Sequence, residues 1–265
     1  MHNERGLRTK MLERERKQTI FRLLDLHTFA SIHDVVEATG ASEATVRRDF
    51  IELEREKRLR RVRGGVELTR EQGTALRAEA PLDRRVTINE EKKRRIARLA
   101  CASVEPGETI MIDGGSTTFH MAEYLATLDV TVVTNSFAIA EHLVRHSRCT
   151  VIMPEGTVDP GSQLILNTLS PDPFANYNVK KAFMGIEGIT ETALTNSDPL
   201  LIQMERAMIA HARELIILAD ETKFGKMGHL ILCPIEKAAR IITSLQADSL
   251  LVKALRAKGV DVVQV

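Results

Sequence analysis

The chain has few cysteines, no long apolar run and no internal repeat, and each shortage closes a class of explanation. Cys101, Cys149 and Cys233 are odd in number, far apart, and set in apolar stretches such as LACASV and LILC. They read as reduced core residues of a cytosolic protein rather than as a disulfide framework. No run of about 18 apolar residues occurs, and the opening MHNERGLRTKMLERERK has no apolar core, so neither membrane insertion nor secretion is predicted. The histidines, His120 among them, lack metal-ligand spacing, so neither a metal site nor a cofactor is expected.

What is present divides the chain in two. Its 265 residues, 43% hydrophobic, suffice for one small and one medium domain. The net charge of +1 conceals an asymmetry: residues 1–70 hold 16 Lys and Arg against 12 Asp and Glu, and the remainder 21 against 24. A basic front and an acidic rear fit a chain whose front alone meets a polyanion, although differences of this size also arise on ordinary solvated surfaces.

Residues 11–26, MLERERKQTIFRLLDL, bring Leu12, Ile20, Leu23, Leu24 and Leu26 to one side of a helix. Ser31 is placed to cap a short helix that Gly40 ends. Ser42 then precedes EATVRRDFIELEREK, where Val46, Phe50 and Leu53 form an apolar stripe and Arg47 and Arg48 face outward. RLRRVRGGVEL follows as two short strands about Arg63-Gly64-Gly65. Three helices and a basic hairpin, in that order, predict a winged helix-turn-helix over residues 1–68, its last helix entering the major groove of double-stranded DNA. Ser42, Glu43 and Thr45 offer short polar groups at the start of that helix, Arg47 and Arg48 reach phosphates or guanine edges, and Arg58, Arg60, Arg61 and Arg63 serve the wing. The alternative is that these arginines pair with Glu43, Glu52, Glu54 and Glu56 on a solvated surface. It suits any single arginine better than it suits the dense run of cations from Arg55 to Arg63.

The stretch SEATVRRDFIELEREKRLRRVRGG resembles the signature of the DeoR family of bacterial regulators: a serine cap, then T-[IV]-R-R-D-[LF], then a wing ending in Gly-Gly. Phe50 stands where that family more often has leucine, and Val62-Arg63 where many members have Arg-His. The resemblance implies a sequence-specific operator-binding repressor. Working on paired half-sites, it would be a homodimer or homotetramer.

Residues 69–86 have weak periodicity and read as a linker. Over residues 87–265, a helix, EEKKRRIARLACASV, precedes the apolar strand candidates ETIMIDGG, VTVVTN, TVIMPEG, KAFMGIEGI, ELIILAD, AARIITS and VDVVQV. The helical stretches TTFHMAEYLATL, FAIAEHLVRHS, MERAMIAHA and SLLVKALRAKG fall between some of them. This alternation predicts an α/β domain with a mainly parallel sheet covered on both faces. Asp113, Gly114, Gly115, Ser116, Thr117 and Thr118 lie between the first strand and its helix. The loop is neither a Walker motif nor a dinucleotide fingerprint; it serves either as a helix cap or, through amide hydrogens and hydroxyls, as an anion site. Asn135 and Ser136, Glu155 and Gly156, and Asp220 to Lys223 fall at other strand ends, where α/β folds place ligands, with Lys223 as the cation for a phosphate.

DGGSTT, VVTNS, KKAFMGIEGI and LADETKFG extend the resemblance to the DeoR-type effector domain, similar in fold to ribose-5-phosphate and glucosamine-6-phosphate isomerases. It implies a phosphorylated small-molecule effector, with Ser116, Thr117, Thr118 and Lys223 on the phosphate and Asn135, Asp198 and Glu205 nearer the sugar. Within DPLLIQMERAM, Leu201 and Glu205 depart from the acidic residue and lysine of many members and look more like the subgroup repressing L-ascorbate utilisation, which implies a phosphorylated sugar acid or unusual sugar. The competing reading is a sugar-phosphate isomerase-like enzyme with a DNA-binding appendage. Such chemistry needs a carboxylate base, and no close acid/base pair stands out among Asp113, Asp198 and Glu205, so no catalytic residue is assigned.

Overall fold

The computed structural model describes residues 13–27, 29–56, 58–62, 64–68, 80–167, 170 and 172–265. They fall into two units, 1–75 and 76–265. In the first, α1 (Glu13–His27), β1 (Phe29–Ser31), α2 (Ile32–Thr39), α3 (Glu43–Arg55), β2 (Leu59–Val62) and β3 (Gly65–Leu68) follow in order. Local chemistry sets the boundaries. Ser31 and Asp34 form a reciprocal capping box on α2, Gly40 closes it in the left-handed region at φ 65°, and Ser42 accepts the Thr45 amide to start α3. Ile20, Phe21 and Leu24 meet Val35, Val46, Phe50 and Leu53 in one core, completed by Leu59 and Val66 of the hairpin.

Two features of this unit were not anticipated. β1 pairs antiparallel with β3, making a three-stranded sheet in the order β1-β3-β2. Gly65 permits that pairing, because a Cβ there would lie 2.2 Å from the Ala30 carbonyl oxygen and 2.8 Å from the Phe29 ring. Gly64 serves the turn instead, with φ at 89°. The second feature is Asp49, which sits among the apolar residues of α3 at 3% exposure. The Arg16 guanidinium donates to both its carboxylate oxygens, at 2.8 and 3.0 Å, and so fixes α1 against α3.

The second unit runs α4 (Leu82–Thr87), α5 (Glu90–Cys101), β4 (Thr109–Ile112), α6 (Met121–Leu125), β5 (Thr131–Thr134), α7 (Phe137–His146), β6 (Thr150–Ile152), β7 (Thr157–Asp159), β8 (Leu164–Leu166) and β9 (Val179–Met184). It continues with β10 (Gly188–Ile189), β11 (Ala193–Asn196), α8 (Pro199–Ala210), β12 (Ala212–Ala219), β13 (Leu230–Pro234), β14 (Ala238–Thr243), α9 (Leu250–Ala257) and β15 (Asp261–Gln264). The apolar runs singled out in the sequence supply a seven-stranded parallel sheet in the order β15-β14-β12-β9-β4-β5-β6. Strand alternation sorts the side chains into two layers. Ile110, Ile112, Val132, Phe183, Ile216 and Leu218 meet α5, α6 and α7 on one face. Met111, Val133, Ala182, Met184, Leu215 and Ile217 meet α8 and α9 on the other.

The structure departs from the sequence reading at three places in this unit. Residues 82–87, expected within the linker, form α4; Leu82 is buried, and its amide donates to the Gly161 oxygen at 3.1 Å. A six-residue helix is too short to display a period, while residues 69–79 of that stretch lie outside the described residues. TTFHMAEYLATL, expected as one helix, is a 3-10 turn at Thr118–His120 and then the five residues of α6. KAFMGIEGI breaks after Met184, and its last two residues join a separate sheet, β10-β11-β13. Cys101 and Cys233 are buried free thiols and Cys149 is half-buried. Burial pushes the Cys101 thiol far up and that of Cys233 to about 11, so neither is a nucleophile near neutrality. No helix among the described residues is long and apolar enough to cross a membrane.

Replacing Asp49 by Ala leaves the Arg16 guanidinium largely buried without its carboxylate, and Asp49→Ala is expected to cost about 3 kcal/mol. Denaturant unfolding of variant and wild type, compared at the transition of the first unit, measures it; an unshifted midpoint would show that the fork does not hold the helices.

Candidate DNA-binding and effector-binding sites

α3 turns its polar face outward because Val46, Asp49, Phe50 and Leu53 are all drawn inside. Of the residues expected to meet DNA, Ser42 and Thr45 are engaged with each other, their hydroxyl oxygens 2.9 Å apart at the cap. Glu43 accepts from Arg47 at 3.2 Å, an exposed pair one turn apart. Arg48 is exposed and pairs with no described residue. Ile51, 52% exposed one turn beyond Arg48, was missed; an apolar residue off the buried stripe was its signal, and an aliphatic group there suits contact with a thymine methyl.

On the wing the ion-pair alternative weighed for the arginines is largely what is seen. Adjacent residues of a strand face opposite ways, so Arg60 reaches across the hairpin to Glu67, while Arg61 donates back to Glu54 of α3 at 2.6 Å. Arg58 lies over the Phe21 ring, 4.4 Å from its centroid, with Glu56 at 3.6 Å, and so helps to hold α1. Arg63 lies outside the described residues. Exposed ion pairs of this kind are worth about 0–1 kcal/mol, so phosphate groups can displace the glutamates at small cost.

In the second unit the carboxyl ends of all seven parallel strands lie along one edge. β4 is laid down first, β5 and β6 add on one side, and the chain then returns to add β9, β12, β14 and β15 on the other. The reversal between β4 and β9 is where open α/β sheets hold ligands. Gly115 follows β4 and Gly185 follows β9. A Cβ on Gly115 would stand 3.7 Å from the Gly185 Cα, so bare backbone lines both sides of the crevice.

The loop after β4 is shaped from within. Asn135 Nδ2 donates to Asp113 at 3.1 Å and its Oδ1 accepts the Gly114 amide at 3.0 Å, so Asn135, fully buried, holds the loop rather than facing solvent. Ser136, also buried, caps α7. Thr118 Oγ1 is bonded to the amide and the carbonyl of Gly115, whereas the Thr117 hydroxyl makes no hydrogen bond within the described residues. Gly114 is packed tightly: a Cβ there would meet Leu164 Cδ2 at 1.9 Å, because the β7-β8 hairpin lies over it, with Ile165 donating to the Asn135 carbonyl at 2.7 Å. Glu155 and Gly156 belong to the entry of that hairpin, Glu155 exposed and accepting from Asn167 at 3.4 Å.

The cation touching this loop is Lys93 of α5, which the sequence reading did not single out. Its side chain is buried, its Nζ donating to Ser116 Oγ at 2.9 Å and to the Arg85 carbonyl at the end of α4. Lys223, the expected partner, sits in the turn after β12, two strands away from β4 in the sheet. Next to Lys93, Lys92 pairs with Glu221 of that same turn, so the first turn of α5 spans both strand ends. His120, 1% exposed, directs Nε2 at the Val86 carbonyl at 3.4 Å. A carbonyl only accepts, so this nitrogen carries the proton; burial lowers the imidazole pKa, the hydrogen bond to Val86 opposing it.

Beyond β9 a second polar group assembles. Ser197 donates to Glu187 at 3.0 Å and Asn196 to buried Glu205 at 2.9 Å, and Asp198 accepts the Leu200 and Leu201 amides as the cap of α8. Glu187 was overlooked within KAFMGIEGI; a carboxylate directly after an apolar strand was its signal.

Two family models match the chain: one described as the DeoR-like helix-turn-helix domain over residues 16–72, and one as the DeoR C terminal sensor domain over residues 88–245. Regulators named HTH-type transcriptional regulator UlaR, from Salmonella newport and Salmonella heidelberg, are each 29% identical over 257 residues, covering 96% of this chain and 100% of theirs. Among solved structures, ribose 5-phosphate isomerase A of Methanocaldococcus jannaschii is 22% identical over 51% of this chain and 55% of its own, at a TM-score of 0.39. The delta subunit of eIF2B from Chaetomium thermophilum is 16% identical over 80% and 64%, at a TM-score of 0.36.

Gly114→Ala is expected to lower stability by about 1–3 kcal/mol through overpacking against Leu164 and Ser136. Gly115→Ala, whose Cβ would come no closer than 3.2 Å to Thr118 Oγ1, should cost much less. Melting temperatures of the two variants side by side test this; equal losses would mean that the hairpin does not press on Gly114.

Proposed function

This chain belongs to the DeoR family of helix-turn-helix transcriptional regulators, and from that premise we propose that it represses a carbohydrate or related catabolic operon under the control of a phosphorylated sugar or sugar acid. Residues 1–68 bind operator DNA in the cytoplasm. The second unit, 76–265, which contains the effector domain read over residues 87–265, senses the effector and carries homo-oligomerisation, as paired half-sites require. The observation that supports the effector most is the buried Lys93 ammonium bonded to Ser116 beside a glycine loop at the reversal of the sheet. A phosphate placed there meets a cation already removed from water, the open Thr117 hydroxyl and backbone amides. This contribution replaces the one expected from a long helix after the loop, which α6 is too short to make. The acidic group of Glu187, Asp198 and Glu205 stands on the β9 side, suited to sugar hydroxyls.

We read the protein as a sensor and not an enzyme, because Asp113 is held by Asn135 and Asp198 is spent on the cap of α8. Turnover of pentose or hexose phosphates at ordinary enzyme rates would overturn this reading.

On DNA, Arg48 is the residue with most to give. Arg48→Ala is expected to weaken specific binding by about 1–3 kcal/mol while the second unit unfolds as in wild type. A binding titration on genomic fragments checks it, and unchanged affinity would remove α3 from the groove. For the effector, the matching sugar phosphate should stabilise the protein by about 2.7 kcal/mol at a hundredfold excess over Kd, and Thr117→Asp should abolish that rise by charge repulsion. A thermal-shift panel measures both, and a normal rise in the variant would place the phosphate elsewhere.

A further inference from the structure

α3 carries its buried stripe on Val46, Asp49, Phe50 and Leu53. At about 100° of turn per residue, the positions directly opposite are 44, 48, 51 and 55, which fall within roughly 60° of one another. Ala44, Arg48, Ile51 and Arg55 occupy them, all four exposed. Apolar and basic residues therefore alternate along the outward line of the helix. Among the described residues neither arginine side chain has an ion partner or a hydrogen bond, whereas Arg47, Arg60 and Arg61 are each matched by a glutamate. Phe29 and Ile51 are the large apolar side chains left exposed among the described residues of this unit, and the Phe29 ring lies over Gly65. Ile51, at 52% exposure, is the more open of the two.

We propose that this line reads a guanine set between thymines in the operator half-site: Arg48 takes the guanine edge, Ala44 and Ile51 each take a thymine 5-methyl, and Arg55 takes the phosphate backbone beyond them. The proposal rests on the reading of α3 as the helix in the major groove. Each assignment follows from what the group can do. A guanidinium presents paired donors that match the N7 and O6 acceptors of guanine, and no other base offers two acceptors in that groove. Ala44 and Ile51 have no hydrogen bond to give, and the apolar group they can meet there is the thymine methyl; a polar base edge covered by them would lose its water without return. Spacing sets the register. At about 1.5 Å per residue, Ala44 lies roughly 6 Å before Arg48 and Ile51 roughly 4.5 Å after it, against a rise of about 3.4 Å per base pair, so each thymine, on either strand, falls within about two base pairs of the guanine. Arg55 is the last residue of α3, roughly 16 Å along the axis from Ala44, beyond the part of a recognition helix that meets base edges.

The test takes the full chain and a randomised duplex library, sequences what binding enriches, and then titrates synthetic duplexes built on the enriched half-site. That half-site should hold a guanine with a thymine within about two base pairs on each side. Replacing either thymine by deoxyuridine removes the methyl and leaves the hydrogen-bonding edge unchanged, and should weaken wild-type binding about fourfold. This arm needs no variant. Ile51→Ala, a change at an exposed position, should lose about fourfold or more on the thymine duplex and become indifferent to uracil at one of the two positions while staying sensitive at the other. A guanine without neighbouring thymines, or full wild-type affinity for both uracil duplexes, overturns the proposal; a loss of affinity in Arg48→Ala on the same duplex then keeps α3 in the groove. Equal uracil losses in wild type and Ile51→Ala at both positions also overturn it, since the methyls are then felt through the shape of the DNA. No enriched sequence, or wild-type affinity in Arg48→Ala, removes the reading of α3 and the proposal together.

Discussion

The reversal of strand order between β4 and β9 is the constraint on which the sensing unit depends. A parallel sheet that wound in one direction only would bury every loop of its carboxyl edge beneath the next crossover. Here the chain parts on either side of β4, so two loops face each other with no crossover between them. Glycine on both sides, Gly115 and Gly185, keeps the gap open to the backbone. The first turn of α5 then supplies what the loops lack, a cation, while the β7-β8 hairpin roofs the β5 side and holds Asn135 and Ser136 inside. Each of these pieces comes from a different part of the chain. Only the winding of the sheet brings them to one edge.

Much of this was legible beforehand, and the pattern of what was not is instructive. The seven central strands announced themselves because each lies in a markedly apolar stretch of a chain in which strands and helices alternate. β1, β7, β8 and β13, which add to other sheets, were not singled out. Two charged residues with structural roles were passed over as well. Lys93 lies in the run EEKKRR and Asp49 in VRRDF, where charge looks like solvated surface. Both nonetheless occupy stripe positions, Lys93 with Ile96, Ala97 and Ala100, and Asp49 with Val46, Phe50 and Leu53. A charge on the buried side of a helix must have a partner waiting, and no local window of sequence shows Ser116 or Arg16 arriving from elsewhere. The capping serines and the glycine stop, being purely local devices, were read correctly.

The first unit shows how a basic surface can be built without a free-standing field. Arg47, Arg60 and Arg61 are each matched by a glutamate, and Arg58 lies over an aromatic ring. Away from DNA this restrains self-repulsion and keeps the side chains ordered; near a duplex, the glutamates yield to phosphates and counterions are released. On the proposed reading, the unit separates attraction, supplied by many exchangeable pairs, from recognition, carried by the few groups on the outward face of α3 with no competing partner.

Gly64 and Gly65 are neighbours in the sequence yet answer to different masters. The first bends the tip, with nothing within 4 Å of where a side chain would go; the second lies at the root, where β1 presses against it. Variation is therefore tolerated unequally along the wing. The tip has room around it, although the left-handed φ of Gly64 still favours glycine there, while the root stays welded to the three-helix body. A change of side chain at the root strikes the three-stranded sheet directly, whereas one at the tip meets only the constraint on the backbone turn.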